Sequence, residues 1–174
     1  HLDGARIWNA AVASGASEQE LAGGFDSVSV CLSKGLGAPA GSVIAGTRDL
    51  IKKCHRLRKM YGGGMRQSGI LAAGGLHAVE HHRARLVEDH ANAKLLAEGL
   101  AGARGVSVLA PQTNIVMIDL ERGTTAQAIE RAKAQGVRIG AMGAMRLRAV
   151  LHLDVDRAGA QRAAQVIAEI AAGL

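Results

Sequence analysis

Nearly one residue in three of this chain is alanine or glycine, with 33 alanines and 23 glycines among 174 residues. Small side chains let helices and strands approach closely, so the excess favours a tightly packed α/β layer structure. Glycine has no three-residue period and proline occurs only twice, which excludes a collagen-like chain. With 48% hydrophobic residues and charges of both signs, the chain is not disordered. Its length suits one full domain, or the tail of a large domain followed by a small one. Three aromatic residues, Trp8, Phe25 and Tyr61, are too few for the stacking platforms of a nucleic-acid binder.

The formal charge of +6 permits anionic partners without naming one. Cys31 and Cys54 fit no zinc spacing and cannot form a disulfide framework, which points to reduced thiols in an intracellular, cytoplasmic protein. No leader of charged then apolar residues opens the chain, and no apolar run reaches about 18 residues, so neither a signal peptide nor a membrane span is expected. The chain starts at His1 without Met, and His1-Leu2-Asp3 reads as a strand end, so residues ahead of it are expected to be missing.

Along the chain, Ile7–Ala13 reads as helix, and Ser17-Glu18-Gln19-Glu20 as a helix start. Ser27–Leu32 and Ser42–Gly46 read as strands around a Gly/Pro loop. Thr47 opens a basic helix to about Met60, and Tyr61–Arg66 is a flexible break. Ser68 to about Ala101 carries the pattern of one long helix, with Gly74-Gly75 lowering its straightness. Beyond it, 106–109, 114–120, 137–139 and 147–153 read as strands, with helices over 124–135 and 158–172.

Lys34 is the residue most suggestive of chemistry. It follows a strand of small apolar residues and is flanked by Ser33, Gly35 and Gly37. At a buried strand end a lysine is desolvated, which favours the neutral, nucleophilic amine a Schiff base requires. The plain alternative is a surface lysine in a glycine-rich loop. Asp3 also ends an apparent strand, and parallel strands bring their C-terminal ends to one ligand-binding edge. A lysine and a carboxylate so placed suit pyridoxal phosphate, although alone Asp3 reads as a helix N-cap for the segment from Ala5. The run Lys52–Lys59 reads as a solvated or subunit-facing helix side. His77 and His81 stand at i, i+4 without the Glu placement of a metalloprotease motif, so no metal site is expected. His152 reads as a partly buried structural group, and Met60, Met65, Met142 and Met145 read as packing residues.

The stretches HLDGARIWNAAVASG, DSVSVCLSKGLGAPAGSVIAG, RKMYGGGMRQSGILAAGG and RLVEDH strongly resemble the low-specificity L-threonine aldolases, as do TNIVMIDL and RAVLHLDV more weakly. The resemblance implies an α/β fold: the C-terminal part of the large domain of a type I pyridoxal-phosphate enzyme (residues 1–89), then a small α+β domain (residues 90–174). It implies that Lys34 is the Schiff-base lysine, that Asp3 partners the pyridine nitrogen, and that Ser33 and Arg66 serve the cofactor, Arg66 across to a neighbouring subunit. Lys59 would lie near that subunit interface. Arg6 and Arg148 would hold the substrate carboxylate, for which the planar guanidinium is suited.

The implied activity is cleavage of L-threonine or L-allo-threonine to glycine and acetaldehyde by a homo-oligomer, dimer or tetramer, with no nucleic-acid or membrane partner. Another type I lyase or racemase, and a non-catalytic subunit-binding remnant, stay open as alternatives. The chain by itself is expected not to form a competent holoenzyme.

Overall fold

The computed structural model describes all 174 residues, which divide into two compact units, His1–Leu86 and Val87–Leu174. The first holds β1 (Leu2–Gly4), α1 (Ile7–Ser14), α2 (Glu18–Ala22), β2 (Ser27–Cys31), β3 (Ser42–Gly46), α3 (Arg48–Met60) and α4 (Gly69–His81). The second holds β4 (Val106–Val108), β5 (Ile115–Leu120), α6 (Thr125–Ala134), β6 (Gly140–Ala141), β7 (Arg146–Val150) and α7 (Arg157–Ala172). The helix α5 (Leu86–Leu100) begins on the last residue of the first unit and belongs otherwise to the second.

In the first unit the sheet order is β1-β2-β3. β1 and β2 run parallel, with Asp3 opposite Ser29, and β3 returns antiparallel. A parallel pair needs a crossover, which α1 and α2 supply. The starts of α2 and α3 behave as their side chains dictate. Ser17 and Glu20 form a reciprocal capping box on α2, and the Thr47 hydroxyl accepts from the Leu50 amide on α3. The buried cluster is small: Leu36, Ala38, Ala78 and Leu86, with Trp8, Val12, Leu32 and Val79 packed on it. β3 is exposed along its whole length and α3 buries no residue.

The second unit has an antiparallel sheet in the order β4-β5-β7-β6. Alternation along β5 sends Val116, Ile118 and Leu120 inward, and Leu147 and Ala149 of β7 join them. Leu96 and Leu100 of α5, with Val166, Ile167 and Ile170 of α7, complete this core. Each such Val, Leu or Ile side chain contributes about 1.5–3 kcal/mol by leaving water. Thr124 and Gln127 box the start of α6, and Asp156 caps α7 through the Gly159 amide.

Three expectations fail here. The helical pattern from 68 to 101 is broken at 82–85, because side chains there bond to distant segments. His82 Nδ1 reaches the Leu36 carbonyl oxygen at 2.6 Å, and the Arg83 guanidinium meets Glu18 at 2.6 Å while lying 5.2 Å from the Trp8 ring centroid. Residues 137–139 form no strand: the Val137 amide turns back to the Ala132 carbonyl, and pairing starts only at Gly140. The four methionines expected to pack, Met60, Met65, Met142 and Met145, are exposed, since nothing within the chain covers them.

On the face of the second sheet away from the core, Asp119 and Arg146 stand opposite each other and pair through two bonds of 2.6 and 2.8 Å. The Arg146 hydrogen bond holds the Asp119 carboxyl below the usual carboxylate range. A carboxyl depressed in the folded state contributes stability that is present above its unfolded value, about pH 4, and lost as pH falls through the folded one. The stability gap between the native chain and Asp119→Asn is therefore expected to stay constant from pH 8 to 5 and to shrink only below about pH 4. Urea titrations across that range check it, and a gap already closing at pH 6 would contradict the assignment.

Candidate functional site

Of the residues singled out in the first unit, Asp3 lies in β1 and Lys34 just past the C-terminal end of β2, its parallel neighbour. Asp3 lies within β1, is exposed, and accepts the Ala5 amide through Oδ1 at 3.1 Å. It is not a helix N-cap. α1 starts at Ile7, Arg6 occupies the capping position, and no side chain caps it. Arg6 is exposed and forms no ion pair within the chain.

Lys34 follows β2 by three residues, in a loop that bonds to itself. The Gly37 amide donates to the Lys34 carbonyl at 2.9 Å, Ala38 to Leu32 at 3.0 Å and Leu32 to Gly41 at 3.0 Å. Beneath it, Trp8 Nε1 donates to the Cys31 carbonyl at 3.1 Å. Gly35 sits directly on buried Asn9: a Cβ at position 35 would lie 2.9 Å from Asn9 Oδ1 and 3.0 Å from Leu86 Cδ2. Backbone this close to a side chain admits only glycine.

Lys34 is not desolvated. Ser33 and Lys34 are both exposed, because within 33–37 only Leu36 turns fully inward. The chain thus presents the amine without enclosing it. Arg66 is likewise exposed, in the segment between α3 and α4, and has no acceptor in the chain.

In the second unit, Arg148 lies in the middle of β7, opposite Met117 of β5 and Gly140 of β6, on the same face as Arg146. Arg146 is occupied by Asp119, whereas Arg148 Nε is buried without any acceptor. A buried donor left unpaired costs about 1–3 kcal/mol, which an incoming carboxylate would relieve. His152 lies past the end of β7, about half exposed, with Nδ1 3.5 Å from Asp154 Oδ2. A hollow of about 650 Å³ in this unit lies where the end of α5 meets β4. It is lined by Lys94, Leu100, Val106 and Val108 and includes none of the candidate residues, so its size carries no chemistry.

Sequence reasoning missed the supports: Trp8 and Asn9 under the Lys34 loop, and His82 beside it. No Gly or Pro marks the break at 82–85, and periodicity alone runs through it.

Among curated proteins, the chain is 48% identical over 172 residues to the low specificity L-threonine aldolase of Escherichia coli, covering 99% of this chain and 49% of that protein. It thus spans about half the length of the curated relatives it matches. Among solved structures, a protein from Listeria monocytogenes superposes with a TM-score of 0.80 at 22% identity, covering 98% of this chain and 51% of that one. An aspartate aminotransferase from Rhodobacter sphaeroides superposes with a TM-score of 0.63 at 21% identity, over 83% of this chain and 40% of that one. These likenesses give the fold as that of the aspartate aminotransferase class. The family profile described as beta-eliminating lyase matches residues 1–123, and the chain belongs to that family.

Proposed function

We propose that these residues serve a pyridoxal-phosphate-dependent aldolase that cleaves L-threonine or L-allo-threonine into glycine and acetaldehyde. The observation that carries the reading is the placement of an exposed carboxylate in β1 and an exposed lysine amine just past β2, on neighbouring parallel strands. Sequence identity to an L-threonine aldolase supports the choice of substrate. The donor set fits the cofactor, since Lys34 offers a reachable primary amine and Asp3 keeps Oδ2 uncommitted. When bound, pyridoxal phosphate acts as an electron sink for the bonds at the substrate Cα.

Lys34 would hold the cofactor through its amine, and the Asp3 carboxylate would keep the pyridine nitrogen protonated by accepting its hydrogen bond. Ser33 and Arg66 offer a hydroxyl and a charged fork to the phosphate. Arg6 and Arg148 bind carboxylate, Arg148 through a shielded Nε that has no other acceptor. Fixing the carboxylate fixes which Cα bond is aligned to break, so orientation selects the reaction. Arg66 is proposed to serve a neighbouring subunit of a cytoplasmic homo-oligomer. In support, exposed Met60, Tyr61, Met65 and Ile70 surround it along the chain.

The test is to supply pyridoxal phosphate and L-threonine to a full-length protein carrying these residues and to measure both products. Equal yields of acetaldehyde and glycine are expected, whereas pyruvate or ammonia from other amino acids without acetaldehyde would favour another lyase. Arg148→Met is expected to raise KM for threonine roughly 10- to 100-fold, the worth of a charged hydrogen bond. Arg148→Lys should recover only part of this, because an ammonium lacks the bidentate fork. A KM unchanged in Arg148→Met removes that residue from the substrate site.

A further inference from the structure

We propose that His82 is a positioning residue for Lys34, acting through the carbonyl group of Leu36. The inference rests on the reading of Lys34 as the cofactor-holding lysine.

Leu36 is fully buried and lies inside the turn that the Gly37 amide closes on the Lys34 carbonyl. Its own carbonyl receives no backbone donor; the imidazole of His82 supplies one at 2.6 Å. A carbonyl oxygen only accepts, so Nδ1 carries the proton. The donor is itself anchored twice. The His82 amide donates to the Ala78 carbonyl at 2.9 Å, which ends α4, and the His77 ring stands edge-on to the imidazole at 5.3 Å.

His82 thus fastens the middle of the loop that carries exposed Ser33 and Lys34 to the end of a helix 46 residues further along the chain. The loop's own bonds, Gly37 to Lys34 and Ala38 to Leu32, tie it only to itself, and packing of Leu36 and Ala38 is non-directional, so neither fixes the turn against a neighbouring element. A short hydrogen bond fixes its rotation, and with it the direction in which the Lys34 side chain leaves. Misplacement by about 1 Å costs on the order of a hundredfold in rate, so a fixed exit direction matters to an amine that must meet one carbon. The bond also gives the helix break at 82–85 a purpose, since a continuing helix would leave the Leu36 carbonyl unpaired.

The experiment compares His82→Leu and His82→Asn in a full-length protein carrying these residues, by amide exchange at Gly37 and by the separate effects on kcat and KM for threonine cleavage. Asparagine retains an N–H donor and leucine has none. For His82→Leu, Gly37 exchange about tenfold faster is expected, with kcat reduced about tenfold or more and KM little changed. His82→Asn should recover most of both. If His82→Leu does not fold, His82→Ala with and without added imidazole replaces it, and imidazole is expected to slow Gly37 exchange again.

Faster exchange with unchanged kcat would make His82 a structural clamp only and overturn the proposal, as would unchanged exchange. So would a His82→Asn variant as impaired as His82→Leu. Failure of the underlying reading looks different: Lys34→Ala would retain cleavage while Gly37 exchange still responded to His82.

Discussion

Replacing Lys34 by alanine is expected to lower acetaldehyde release from threonine by at least about a thousandfold, roughly 4 kcal/mol of transition-state stabilisation. An amine nucleophile is removed outright, and no hydroxyl or carboxylate in Ser33–Gly37 can take its place. Stability should hardly change, because the Lys34 side chain is exposed and only its backbone carbonyl is bonded in the turn. Lys34→Arg should be nearly as inactive, since a guanidinium stays protonated and is no nucleophile. Steady-state rates and urea midpoints on the three proteins separate loss of chemistry from loss of fold. Activity within tenfold of the parent in Lys34→Ala would sink the assignment of this residue.

Gly105→Ala is the substitution expected to damage the fold most for its size. Gly105 has φ +87° just ahead of β4, and a Cβ there would strike the carbonyl of Ala171 in the last turn of α7, with the carbonyl carbon 2.9 Å away. A left-handed backbone costs a non-glycine residue about 1–2 kcal/mol, and overpacking against an immovable backbone costs about 1–3 kcal/mol more. Together these predict a loss of roughly 3 kcal/mol in urea unfolding. Gly136 gives the comparison: φ is +79°, but a Cβ there meets nothing within 4 Å. Gly136→Ala should therefore cost only about 1–2 kcal/mol. Equal losses in the two variants would show that the contact with Ala171 carries no weight.

Local chemistry made much of the chain legible. Thr47, Thr124 and Asp156 mark helix starts because a short side-chain oxygen can satisfy an orphan amide wherever the chain turns helical. The alternating burial of Val116, Ile118 and Leu120 along β5 follows from one-sided packing, although Ile115 and Met117 between them are apolar too. The places of Asp3 in β1 and of Lys34 just past β2 were legible, because both segments read locally as strands. The break at 82–85 was not, since its cause lies in bonds from His82 to Leu36 and from Arg83 to Glu18, 46 and 65 residues away in the chain. Exposure of Lys34 and of Met60 and Met65 was hidden for a related reason. Residue type states what a side chain prefers, but only the arrangement of other segments decides whether anything covers it.

By itself, then, the amino-acid order determined most of the elements, several helix starts and the kinds of group at the candidate site. Each of these depends on neighbours a few residues apart. Tertiary structure alone decided that Arg148, not the adjacent Arg146, keeps an unpaired donor, because Asp119 reaches Arg146 only across the β5–β7 pairing. It alone decided that His82 holds the Lys34 turn. Hydrogen bonds between distant segments depend on where the backbone brings their atoms, and spacing along one chain does not encode that.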